Sequence, residues 1–143
     1  MGGGMPIGAF ISSWEMMNLL TFKPKLGHIT TFGGHSINCA ASLATLEHLL
    51  STEIMQEADK KEQLFRTHLQ HPKIKEIRGK GLMLAIEFED EELAQKVVEQ
   101  SLEKGLILFY FLFTNTAIRI TPPLTITKEE IIKGCKIILE ILK

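Results

Sequence analysis

With 143 residues, 45% of them apolar and 23% charged, the chain has the composition of an ordinary folded protein and enough length to bury a core. Its 16 basic residues against 17 acidic ones leave no net field to draw in nucleic acid or anionic lipid, so neither partner is expected. Cys39 and Cys135 lie far apart without C-x-x-C spacing, which points to free thiols in a reducing compartment; with no apolar run approaching the roughly 20 residues of a membrane helix, a cytoplasmic location is expected.

The chain opens on MGGGMPIGAF. Glycine is valuable where backbone must take positive φ or come close to another group, and neither nucleotide-binding glycine spacing is present. Ile7 to Ser12 is apolar and turn-bounded and predicts a buried strand, and Ser13 is placed to cap a short helix through Leu20. His28 to Gly34 has no helical stripe and is a loop. Ser36 is placed to cap the next helix, in which Cys39, Leu43, Leu46 and Leu50 form one apolar face. Thr52 to Leu69 predicts a connecting helix with Ile54, Ala58, Lys61, Leu64, Phe65 and Leu69 near one stripe, closed by His71-Pro72.

The period then changes to two. Leu82, Leu84, Ile86 and Phe88 alternate with Met83, Ala85 and Glu87, a half-buried strand after the turn at Gly79-Lys80-Gly81. Asp90 to Lys104 is a helix with Leu93, Val97, Val98 and Leu102 inward; Leu106 to Phe109 and Ala117 to Thr121 are two further strands. Thr127-Lys128-Glu129-Glu130 has the spacing of a capping box and opens a last helix with Ile131, Cys135, Ile138 and Leu142 inward. The fold class is therefore α/β, with a small domain whose helices cover one face of a largely antiparallel sheet. Residues 1 to 50 offer too few elements to close on themselves, and their apolar faces are expected to promote self-association or disorder.

Two constellations carry chemistry. In GHITTFGGHSINCAA, Thr30 and Thr31 precede Gly-Gly and a helix start, whose free amides and dipole suit a phosphate; the same residues also fit a tight entry turn with β-forming threonines. In AIRITPPLTIT, Ile118 and Ile120 face one way and Arg119 the other, and Pro122-Pro123 ends the ladder. The guanidinium fork suits a carboxylate, or else a surface glutamate. His68 and His71 lack a third ligand, so no metal is expected.

Taken in order, GGGMPIGAF, GHITTFGGHSINCAASLATL, EIRGKGLMLAIEF and AIRITPPLTITKEEI resemble the C-terminal portion of class III aminotransferases, pyridoxal-phosphate enzymes that include acetylornithine and ornithine aminotransferases. The resemblance runs from residue 1 to the end. It implies that residues 1–51 are the end of the large cofactor-binding domain of a fold type I enzyme, and 52–143 its C-terminal small domain with the connecting helix. It also implies pyridoxal 5'-phosphate as cofactor, an amino acid donor of the acetylornithine or ornithine kind, a 2-oxo acid acceptor, and a homodimer.

Residue by residue, Thr31, with Thr30 beside it, matches the threonine that bonds the cofactor phosphate in the neighbouring subunit's site, and Arg119 matches the arginine that grips the substrate α-carboxylate. His35 and Ser36 stand where the family has Asn-Pro. The family's Schiff-base lysine lies just before the position matching Met1, beside which the glycine segment bends. No catalytic residue is therefore expected in this chain, and alone it is expected to be inactive. The rival expectation is a non-enzymatic interaction or dimerisation module derived from an aminotransferase tail.

Overall fold

In the computed structural model, which describes residues 1–143, Ser13 holds extended backbone and its hydroxyl accepts from the Met16 amide at 3.4 Å, starting helix α1 (Trp14–Asn18). A 3-10 turn, Leu19–Thr21, follows. Ile7 to Ser12 forms no strand: an extended run needs a neighbour for its N–H and C=O groups, and the sheet of this protein is built entirely from later residues. Helix α2 spans Ser36–Ser51, with His35 rather than Ser36 at the boundary and no side chain capping it. Gly34, at φ +72°, turns the chain one residue early and moves Ser36 into the helix.

Residues Met1–Thr52 form one compact unit. Within it the N-terminal segment lies on the Asn38, Ala41 and Thr45 side of α2. Asn38 Nδ2 donates to the Pro6 carbonyl at 2.7 Å, and a Cβ on Gly3 would stand 2.4 Å from Thr45 Oγ1, so only glycine, here at φ +53°, permits that approach. The expected apolar face is not the packed one. Cys39, Leu43, Leu46 and Leu50 remain exposed, and Gly2 is the only buried residue of the unit.

Glu53–Lys143 is the second unit. Helix α3 (Ala58–His68) begins later than Thr52, which instead finishes α2 in extended conformation (φ −128°, ψ 162°). Lys61 does not join the apolar stripe; its ammonium reaches out to the Leu124 carbonyl at 2.6 Å and to Glu57 at 3.1 Å. Strands β1 (Ile74–Lys80), β2 (Met83–Phe88), β3 (Phe109–Tyr110) and β4 (Ala117–Ile120) form an antiparallel sheet in the order β1-β2-β4-β3. Strand β1 was not anticipated by the sequence pattern, and only the last residue of the expected Leu106–Phe109 strand pairs. The Leu106 amide is drawn back to the Ser101 carbonyl at 2.8 Å instead.

Helix α4 (Glu91–Glu103) starts at Asp90, whose carboxylate accepts from the Leu93 amide at 2.8 Å. Its buried stripe is Ala94, Val97 and Ser101; Leu102, one residue further round, is 62% exposed rather than inward. The capping box of helix α5 (Lys128–Leu142) forms: Glu130 accepts from the Thr127 amide at 2.8 Å, and the Thr127 hydroxyl accepts from the Glu130 amide at 3.2 Å. Ile131, Cys135, Ile138, Ile141 and Leu142 of α5 close on Leu84, Ile86, Phe88, Ile118 and Ile120 of the sheet. Each such side chain contributes about 1.5–3 kcal/mol by leaving water. No helix is long and apolar enough to cross a membrane.

Candidate functional site

Arg119 owes its position to the alternation of β4. Ala117, Ile118 and Ile120 are buried, and Arg119 stands on the sheet face opposite the isoleucines. The ladder places Arg119 between Ala85 of β2 and Phe109 of β3, while Ala85 also pairs with Arg78 of β1. One row across the exposed face is therefore Arg78, Ala85, Arg119, Phe109. Ala85 is too small to crowd the arginine, and the Phe109 ring centroid lies 5.2 Å from its Cζ, in cation–π range.

The two arginines of the row differ. Arg78 is held by Glu87 and, at 3.8 Å, by Glu76. The Glu87 carboxyl sits below its ordinary value, chiefly because the Thr116 hydroxyl donates to it at 2.5 Å and further because of the Arg78 guanidinium, so it stays charged and keeps Arg78 engaged. Arg119 makes none of the protein's side-chain hydrogen bonds or ion pairs. The surface glutamate that the sequence allowed as its partner is absent. Arg119 lines a hollow of about 500 Å³ together with Arg78, Met83, Ala85, Phe111 and Thr121. A second, apolar cavity of about 290 Å³, lined by Phe109, Pro122, Ile126 and Ile138, shares Arg119 and Thr121 with it. A free, permanently charged fork on a rigid strand, beside hydroxyl and apolar walls, can take up a carboxylate and seat an apolar body next to it.

In the first unit, Thr30 and Thr31 are exposed and their hydroxyls make no hydrogen bond. The turn is held by backbone alone, with the Gly33 amide donating to Thr30 O and the His35 amide to Phe32 O, both at 3.2 Å. A Cβ on Gly33 would stand 2.7 Å from Thr30 Oγ1, so glycine keeps the hydroxyl side of the loop open. The first amides of α2 have no side-chain cap. Uncapped amides at the positive end of a helix and free hydroxyls fit a phosphate. No group of three or more His, Cys, Asp or Glu side chains is placed to hold a metal ion; the His71 imidazole instead accepts from the Lys73 amide at 3.2 Å.

Thr30, Thr31 and Arg119 are legible in the sequence, whereas the neighbours that shape the arginine's surroundings are not. Phe109 and Ala85 carry no chemical signature of their own, and only the strand register brings them to Arg119.

The antiparallel sheet with its three helices is a fold shared with solved pyridoxal-phosphate-dependent aminotransferases. Residues 1–142 match the family described as aminotransferase class-III, and the chain belongs to that family, whose cofactor is pyridoxal phosphate. It is 37% identical over 147 aligned positions to an acetylornithine aminotransferase of Caldanaerobacter subterraneus subsp. tengcongensis, covering 99% of this chain and 36% of that one. Among solved structures it resembles an adenosylmethionine-8-amino-7-oxononanoate aminotransferase from Methanocaldococcus jannaschii, with a TM-score of 0.71 and 29% identity over 86% of this chain and 31% of that one. It also resembles the ornithine aminotransferase of Toxoplasma gondii, with a TM-score of 0.70 and 30% identity over 80% and 28%. The chain thus spans about a third of the length of the relatives it matches.

Proposed function

We propose that this chain supplies the anion-holding part of a class III aminotransferase that moves an amino group between an amino acid, of the ω-amino acetylornithine or ornithine kind, and a 2-oxo acid. The observation that carries this reading is the unpaired guanidinium of Arg119, a residue held on β4 in the lining of the hollow. Arg119 binds the substrate α-carboxylate through its fork and orients the α-carbon. Thr31, with Thr30 and the first amides of α2, holds the phosphate of pyridoxal phosphate; following the family, it does so for the neighbouring subunit of a homodimer. When bound, the cofactor supplies an electron sink for the charge that develops at the carbon carrying the transferred amino group.

Residues 1–51 belong in this reading to the end of a large cofactor-binding domain, and 52–143 to the small domain. A cytoplasmic location accords with the two free thiols. In this reading none of the chain's own lysines takes the part of the family's Schiff-base lysine, and orientation without that amine gives no turnover. Two measurements test the proposal. Pyridoxal phosphate titrated into the chain, followed by its phosphorus resonance, is expected to bind in a Thr31-dependent way, weakened in Thr31→Val. Transamination of ornithine or acetylornithine with 2-oxoglutarate is expected to stay at background. Phosphate binding indifferent to Thr31 would remove that residue's role, and turnover that tracks the purified protein would show that the chain has its own catalytic base.

A further inference from the structure

Arg78 and Arg119 stand on the same face of the same sheet, one strand apart on either side of Ala85, yet only Arg78 has acidic partners. What Arg119 has instead is Phe109, its cross-strand neighbour, with the ring centroid 5.2 Å from Cζ. The two kinds of partner leave the guanidinium in different states. A carboxylate takes the N–H edge, so an arginine held by glutamate has fewer donors to offer a ligand. An aromatic ring attracts the cation through its flat face and leaves the N–H edge open. We propose that Phe109 is a positioning residue: by stacking on Arg119 it restricts the guanidinium to one orientation while keeping its donors directed into the hollow, so that a carboxylate meets a fork already in place. Affinity rises because less side-chain freedom is lost on binding. The inference rests on the assignment of carboxylate binding to Arg119.

The test is a titration of 2-oxoglutarate into the full chain, followed at the Arg119 Nε–Hε resonance. In wild type that resonance is expected to be displaced by the ring current of Phe109 and to shift saturably with ligand. Phe109→Leu is expected to lose the displacement and to bind about two- to fivefold more weakly, the range a half-exposed cation–π contact supports. Phe109→Tyr is expected to keep both. Because Phe109 is 53% exposed, the leucine variant leaves the core intact, and its thermal unfolding should match wild type. Arg119→Gln, run beside it, separates the two claims. Binding abolished in Arg119→Gln but unchanged in Phe109→Leu would overturn the positioning role and leave the carboxylate assignment standing. Binding that survives Arg119→Gln, or a wild type that shows no saturable shift, would overturn both.

Discussion

Helices α2 and α5 are nearly the same length, 16 and 15 residues, but they stand in opposite relations to solvent. Helix α5 buries Ile131, Cys135, Ile138, Ile141 and Leu142 and turns its lysines and glutamates outward; α2 buries nothing, although its apolar residues are as numerous. The difference lies in arrangement. The buried apolar side chains of α5 fall on one stripe, which a single sheet face can cover, whereas on α2 the leucine face of Leu43, Leu46, Leu49 and Leu50 is balanced by Ile37, Ala40, Ala41 and Ala44 on the opposite side, the pattern of a helix enclosed by a larger core. A striped helix names the side it will bury. An evenly apolar one does not, and here the side that packs is the small-residue side of Ala41 and Thr45, against which Gly3 fits.

The contrast can be broken most sharply with a thiol reagent. Cys39 of α2 is exposed, while Cys135 of α5 is buried and its thiol is pushed up from 9.0 to about 12 by burial. That alone lowers its thiolate fraction at pH 8 on the order of a thousandfold. A disulfide reagent is expected to modify one thiol promptly and the second only as the protein unfolds; two fast thiols would show that the α5 core opens readily. Truncation comes next in size. Ile138→Ala should destabilise the second unit by about 2–5 kcal/mol in a denaturant melt, whereas Leu46→Ala on exposed α2 should stay within about 0.5 kcal/mol. Equal costs would mean that α2 is buried in solution.

Glu62 tests the tie between α3 and the β1–β2 hairpin. Its carboxylate accepts from Arg66 Nε at 2.8 Å and from the Gly81 amide at 2.5 Å, while Arg66 donates to Ile77 O at 2.6 Å. The Arg66 and Gly81 bonds hold the Glu62 carboxyl below its ordinary 4.5. Its contribution is therefore complete above pH 4.5 and is lost as pH falls below that value toward the depressed folded one. Glu62→Gln should lower the melting temperature at pH 7 and flatten its decline in acid, at a cost of about 1.5–3 kcal/mol for bonds to a charged group. A parallel decline in wild type and variant would assign the acid sensitivity elsewhere. The smallest expected effect is a gain. The Ser101 hydroxyl is fully buried on α4 without a partner, and Ser101→Ala should stabilise the second unit by about 1 kcal/mol. A loss on that substitution would indicate that a buried water satisfies the hydroxyl.

What could be foreseen from the chain was whatever neighbouring residues settle among themselves. The Thr127–Glu130 box, the stripe of α5, the alternation of β2 and the outward turn of Arg119 each depend on residues within a turn or two of one another. Strand β1 could not be foreseen for a physical reason. Ile74 and Ile77 are three apart, which spoils a period of two, but a register shift between Ile74 and Glu76 sets both isoleucines opposite the core residues Phe88 and Ile86. That shift exists only in the pairing with β2.

The same division runs through the candidate site. By itself the sequence determined the residue types and their local direction: a Thr-Thr-Phe-Gly-Gly loop before a helix, and an arginine on the polar face of a short strand ended by Pro-Pro. Tertiary structure alone decided what the arginine meets, because register joins Ala85 and Phe109 to it across strands distant in sequence, and gives Glu87 to Arg78 instead. Cross-strand neighbours are set by the whole sheet's burial and pairing, and no local spacing in the chain records them.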